Sequence, residues 1–204
     1  MKEMLYVLLG FLLSITSIIV TDLIRNQIKA KKVWCSLVSE LRELRFMMAS
    51  IAFNMKSHQG AMTKGFMDWF QPIVKEQAEA GTNIPEFPEE LQKISEEGWE
   101  QLSDYLKRST CVTVNEASLP FLDSLAAEVA LLPVRKQRDL WRVKFQLDLY
   151  NQQIPFLHSQ FEKTFDESLS DVNRERIQTN LKQGYGRLGE RAKVIADIIS
   201  LAIG

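Results

Sequence analysis

The sequence predicts an all-α protein: a single N-terminal transmembrane helix that continues into an elongated cytoplasmic helical bundle with a long C-terminal αα-hairpin. Three observations carry that expectation. Met4 to Ile24 reads MLYVLLGFLLSITSIIVTDLI, an apolar run of 21 residues whose one charge, Asp22, lies near its end. Apolar residues then recur at alternating steps of three and four along three later segments, the spacing of helices that each bury one stripe. Finally, β-branched residues cluster only at Thr110–Val114, and one five-residue strand has no partner in this chain.

The apolar run comes first. A helix rises about 1.5 Å per residue and needs about 20 apolar residues to cross the hydrocarbon, so Met4–Ile24 is long enough for one crossing. Arg25, Lys29, Lys31 and Lys32 follow it, against Lys2 before it. Lys and Arg flanks stay in the cytoplasm, which puts the N-terminus outside and the body inside. A cleaved signal peptide is the main rival. Glu3 beside Lys2, and the lack of an A-x-A-like site ahead of the charged helix, argue against it. Within the run, Gly10, Ser14, Ser17 and Thr21 fall at steps of four, three and four on one helical face. Small residues let backbones approach closely in lipid, so this face is the expected surface for self-association, although the hydroxyls can instead bond back to their own helix. The chain thus divides into a transmembrane anchor, residues 1–25, and a cytoplasmic bundle domain, residues 26–204.

After the basic flank a packing stripe begins: Trp34, Leu37, Leu41, Leu44, Met48, Ile51 and Met55. No Gly or Pro interrupts Phe11–Ser57, so span and stripe are expected to form one continuous helix of roughly 50 residues, about 75 Å long. Gly60 and Gly65 should break it. Phe66, Met67, Trp69, Phe70, Ile73 and Val74 form an aromatic-rich segment in which Pro72 predicts a kink or restart. Gly81–Pro88 reads as a loop, and a helix over Glu89–Lys107 should turn Leu91, Ile94, Leu102, Tyr105 and Leu106 inward, with Gly98 a weak point. Thr110–Val114 is expected to be an extended loop. Ser118-Leu119-Pro120 has the form of a helix start, followed by a short buried helix with Leu122, Leu125, Ala126 and Val129, ending near Pro133. Two long helices finish the chain. The first carries Leu140, Val143, Leu147, Tyr150, Ile154, Leu157 and Phe161, with a bend at Pro155; the second, capped by Ser170 or Asp171, carries Leu181, Tyr185, Leu188, Ala192, Ile195, Ile199 and Ala202. The short link between them makes an antiparallel hairpin about 45 Å long.

Composition narrows the function. A net charge of -1 gives no global field of either sign, so nucleic acid is not an expected partner. Cys35 and Cys111 are too few for a disulfide scaffold and read as reduced thiols, or as one bridge if the body were exported. His58 and His158 have no HExxH or Cys-x-x-Cys context, and no Arg is followed four to six residues later by His, as in helical ribonucleases of the HEPN class. Gly184-Tyr185-Gly186 spells the potassium-filter triplet, but lies on a charged amphipathic helix, where it can only permit close approach or a hinge. Glu89, Glu90, Glu96 and Glu97 read as a solvated face, and Arg135, Lys136 and Arg138, with Arg142 and Lys144 beyond, as a solvated helix start. No phosphate loop and no nucleophile motif is present, so neither enzymatic activity nor a cofactor is expected.

Three functions remain. The first is a non-enzymatic oligomer that self-associates through the span and the coil-like stripe, a membrane effector or pore-forming assembly. Its overall plan is similar to the small single-span helical accessory proteins of bacterial defence loci, including those beside type VI-B CRISPR nucleases; the similarity is one of architecture and covers no motif. The second is a membrane-tethered adaptor that recruits a cytosolic protein partner. The third is an exported helical protein released by signal cleavage. The expected partners are therefore the lipid bilayer, further copies of the chain and a cytosolic protein.

Overall fold

A computed structural model describes residues 2–81, 98–99, 101–102, 104–105, 114–166 and 168–204, with side chains from Phe11 onward apart from Leu12. All regular structure among these residues is helical: α1 (Lys2–Gln59), α2 (Lys64–Glu79), α3 (Pro120–Ser124), α4 (Ala126–Val129), α5 (Val134–Asn151), α6 (Ile154–Lys163) and α7 (Asp171–Ile203). Helical residues also lie between 98 and 105, where Trp99 is buried and Leu102 packs against the core. Tyr105, expected inward, is 68% exposed. The Gly81–Pro88 loop beyond Gly81, Leu91, Ile94, Leu106, Cys111 and the run Thr110–Thr113 lie outside the described residues.

α1 spans 58 residues, about 87 Å at 1.5 Å each, and is continuous as its lack of interior helix breakers after Gly10 requires. Gly60 ends it. With φ at 64°, Gly60 lets its own N–H donate to the Ser57 carbonyl (3.0 Å) and the Ala61 N–H to the Lys56 carbonyl (2.9 Å), which satisfies two of the last carbonyls. The Thr63 hydroxyl then accepts from the Phe66 N–H and caps α2. Neither Gly65 nor Pro72 divides a helix. Gly65 sits within the first turn of α2, and Pro72 lies inside α2 without a restart. Pro72 and Asp68 both face solvent, so water can satisfy the carbonyl that loses its N–H partner.

α7 runs antiparallel to α1: the Gln59 amide donates to the Lys182 carbonyl (3.1 Å), Lys56 pairs with Glu190 (2.6 Å), and Gly189 lies against Met55. α5 and α6 together run antiparallel to α7, with Arg191 donating to Gln146 (3.2 Å) and Leu157 lying against Gly184. The three stripes bury one another. Leu37, Leu41, Leu44, Met48 and Met55 are at most 3% exposed, while Trp34 and Ile51 sit half-buried at its margin. Leu140, Val143, Leu147, Tyr150, Ile154 and Leu157 are equally enclosed, as are Leu188, Ala192, Ile195 and Ile199. Ala202 is only half-buried, in the last turn of α7.

The details depart from the expected pattern where the chain changes direction. The bend expected at Pro155 lies one turn earlier, at Gln152–Gln153; Pro155 falls in the first turn of α6, where its missing N–H goes unmissed. That break shifts the phase of the stripe, so α6 buries Gln160 and leaves Phe161 48% exposed. The short helix expected after Ser118 is two, α3 and α4, with Leu122 and Val129 buried and Ala126 exposed. Ser170 caps α7 by accepting from the Asn173 N–H.

Among the described residues no helix is long and apolar enough to cross a membrane. The expected span finds no support there, and the side chains of residues 4–10 and Leu12, part of the apolar run, lie outside the description.

Candidate functional site

The segment of α1 that precedes the bundle is where the sequence and the fold disagree about water. From Phe11 to Lys29 every described side chain is exposed. Phe11, Leu13, Ile18, Ile19, Leu23, Ile24 and Ile28 are each more than half exposed, and they point to all sides of the helix. A helix that is apolar all round belongs inside protein or lipid, yet no described part of this chain covers it. Ser14, Ser17 and Thr21 lie along its small-residue face; the Thr21 hydroxyl donates to the Ser17 carbonyl (2.7 Å), so one of the three bonds back to its own helix. The fourth member, Gly10, is described only as helical backbone. The packing stripe from Trp34 belongs to a different environment: its partners are α7 and the rest of the core, so that seam is occupied by the chain itself.

The basic flank marks the boundary between the two. Arg25, Lys29, Lys31 and Lys32 are all exposed, and Cys35 just beyond them is an exposed free thiol. Lys29 reaches Glu128 on α4 at 3.6 Å. Higher up, the Glu40 carboxylate accepts from the Phe121 N–H (2.7 Å) and the Leu122 N–H (3.1 Å). Glu40 thereby caps α3, which has no side-chain cap of its own, and fastens it to α1. Lys136, in the first turn of α5, places its ammonium 3.6 Å from the centre of the Trp34 ring. The chain therefore descends along α1 through α3 and α4, from the level of Glu40 to that of Lys29. It turns at Ala130–Pro133 and climbs again as α5. Arg135 and Arg138 are exposed beside that turn, Arg138 at 3.6 Å from Asp139.

Elsewhere the polar groups hold structure. Asn151 makes two bonds to Ala117, accepting from its N–H (3.0 Å) and donating to its carbonyl (2.7 Å). The Tyr150 hydroxyl donates to the Asn115 carbonyl (3.3 Å), and burial pushes its pKa up. His158 Nε2 meets the Val114 carbonyl at 2.9 Å, and these three contacts pin the extended segment 114–119 to the hairpin. Burial opposes the charged form of Lys144, but the Asp123 and Asp148 carboxylates outweigh it and hold its pKa above the usual value. The Trp69 indole donates to Asp197 (2.6 Å), which also pairs with Lys193. Asp166 accepts from the hydroxyl and backbone N–H of Ser168, which lowers its carboxyl pKa. His58 stands edge-on to Tyr185, 5.7 Å between ring centres.

A groove of about 780 Å³ runs between the end of α1, the α5–α6 break and α7, lined by Gln59, Gln146, Gln153, Arg187, Glu190 and Arg191 among others. It offers amides and paired charges, without a nucleophile set beside a base. No group of three His, Cys, Asp or Glu that could hold a metal ion occurs among the described residues. The glycines of the triplet lie in mid-α7, where Gly184 is buried against Leu157 and Gly186 lies against the Gln59 side chain; Gly189, one turn on, is buried against Met55, so close approach is their role. Glu40, Asn151 and the Trp69–Asp197 pair were not legible in the sequence, because each joins residues 34 to 128 positions apart. Comparison with known proteins finds no matching family model, no similar curated protein and no similar solved structure.

Proposed function

We propose that the chain is a non-enzymatic, single-span membrane protein whose N-terminal helix crosses the bilayer over Met4–Ile24, followed by a cytoplasmic helical body. One observation carries the reading: an apolar surface that no described part of the chain covers surrounds α1 from Phe11 to Ile28, and ends where Arg25, Lys29, Lys31 and Lys32 begin to crowd the helix. Hydrocarbon satisfies such a surface and water does not. The Lys and Arg bias after the span supports a cytoplasmic body.

Copies of the chain associate through the face of Gly10, Ser14, Ser17 and Thr21, in the manner of a membrane effector or pore-forming assembly. The stripe from Trp34 is occupied internally, so the span is the surface left for this role. Oxidative crosslinking in membranes tests it in a chain with Cys35→Ser and Cys111→Ser. Ser17→Cys should form dimers readily and Ile19→Cys, on the opposite side of the helix, should not. Equal crosslinking at both positions would remove the specific interface and leave the span as an anchor.

A membrane-tethered adaptor is the second reading, favoured by Trp141 and Phe145, which lie one turn apart on the outer face of α5 at 47% and 58% exposure. Replacing the span with an unrelated apolar helix separates the two: an adaptor keeps its function and a span-driven assembly loses it.

A further inference from the structure

We propose that the turn between α4 and α5 is a second membrane contact, which seats on an anionic bilayer surface and fixes how the body stands on its anchor. The inference rests on the single-span reading above. Its starting point is height along α1. Lys29 lies five residues beyond Ile24, about 7.5 Å, and its contact with Glu128 brings α4 to that level. Trp34 lies ten residues beyond, about 15 Å, and Lys136 touches its ring there. The turn at Ala130–Pro133 joins these two points, so it hangs at the lower edge of the body. The headgroup layer is about 5–7 Å thick on each side of the hydrocarbon, which puts the turn at its outer margin.

Charge at this level is positive on balance. Residues 22–34 and 126–139 carry seven cations against three acids, a net of +4 in a chain whose total is -1. Lys31, Lys32, Arg135 and Arg138 are turned outward, while Lys29 and Lys136 tie the two segments together through Glu128 and Trp34. Arginine forks match phosphate geometry, and a layer of anionic headgroups within a Debye length, about 8 Å at physiological salt, attracts such a cluster. The small exposed residues Ala126, Ala127 and Ala130 let the backbone approach the layer closely. A solvated helix start, the reading that sequence alone supports, explains the charges but not their placement beside the flank of the span.

The test uses the full chain with Cys35→Ser, Cys111→Ser and Ala130→Cys, carrying an environment-sensitive fluorophore at residue 130. It is reconstituted into phosphatidylcholine vesicles with and without phosphatidylglycerol. Val172→Cys is the reference: it lies at the start of α7, beyond the level of Gln59 and so more than about 50 Å along α1 from Ile24. The expected result is a blue shift and quenching by headgroup-level lipid nitroxides at residue 130 in the anionic vesicles alone. The signal should be lost in about 1 M salt, where the Debye length is about 3 Å, and in the variant Arg135→Gln with Lys136→Gln and Arg138→Gln. Residue 172 should report water throughout. Protein retained by the vesicles with residue 130 reporting water in both overturns the inference and leaves the span intact. An equal blue shift in neutral and anionic vesicles overturns it too, since charge would not be the cause. Protein that fails to stay with either vesicle overturns the span itself and this inference with it.

Discussion

Gly189→Ala is the sharpest probe of how the bundle closes. A Cβ at residue 189 would stand 2.7 Å from Met55 Cβ and 3.3 Å from its Cγ, where ordinary contact begins at 3.4 Å. Met55 Cβ is fixed to the backbone of α1, so no rotamer change relieves the clash, and the two helices must separate by about 0.7 Å, the difference of the two distances. Overpacking of this kind costs about 1–3 kcal/mol, and the better helix propensity of Ala returns about 1 kcal/mol, so the net loss is on the order of 1 kcal/mol. Gly65→Ala supplies the opposite reference, since nothing lies within 4 Å of its Cβ position: a gain of about 0.5 kcal/mol is expected. Gly184→Ala should fall between them, because it meets the terminal methyl of Leu157, which a rotamer change can withdraw, rather than an atom fixed to the backbone. Denaturant titration of the full chain in mild detergent, followed by helical circular dichroism, gives the order. In thermal unfolding each kcal/mol corresponds to about 2–4 °C for a chain of this size. If Gly189→Ala proved as stable as Gly65→Ala, α1 and α7 would not approach as closely as described and the account of the core would fail.

Other expectations follow from single contacts. Glu40→Ala should cost about 1–3 kcal/mol by stranding the N–H groups of Phe121 and Leu122, and Glu40→Gln clearly less, as the same titration would show. Asn151→Leu removes both bonds to Ala117 and should speed amide exchange in segment 114–119 while leaving α7 protected, a pattern that exchange mass spectrometry reads directly. Tyr150 holds its proton more tightly folded than unfolded, so its stabilising effect is complete below about pH 10 and falls by up to 1.4 kcal/mol per pH unit above it. Tyr150→Phe should therefore lose stability more slowly above that pH than the parent chain. Leu13→Arg, in the middle of the apolar run, should reduce membrane insertion, at a cost of about 2.5–3.5 kcal/mol at the helix centre, measured as the inserted fraction in a translation reaction with microsomes.

Much of the body was legible because its signal is periodic. The stripes on α1, α5 and α7 recur at steps of three and four, those on α1 and α5 with no glycine or proline inside them, so the residues that recur at that spacing are the ones that fill the core. Legibility fails where a neighbour far along the chain decides the outcome. Pro72 is tolerated because it faces water, which no local pattern states. Phe161 leaves the core because the break at Gln152–Gln153 changes the helical phase, while Trp99 enters it from a segment whose periodicity favoured Tyr105. The candidate site shows the same division. The apolar run and its basic flank are local and stand out in the sequence. The descent of α3 and α4 to that flank depends on Glu40 and Lys29, whose partners lie 81 or more residues away.

The central claim is that the N-terminal apolar helix resides in hydrocarbon. Alkaline carbonate extraction of membranes from cells that express the full chain tests it most directly, with N-terminal sequencing of the recovered protein. The account predicts that the protein stays in the membrane pellet with Met4–Ile24 still attached, and that deletion of those residues releases the body. Recovery of the intact chain in the carbonate supernatant would contradict it.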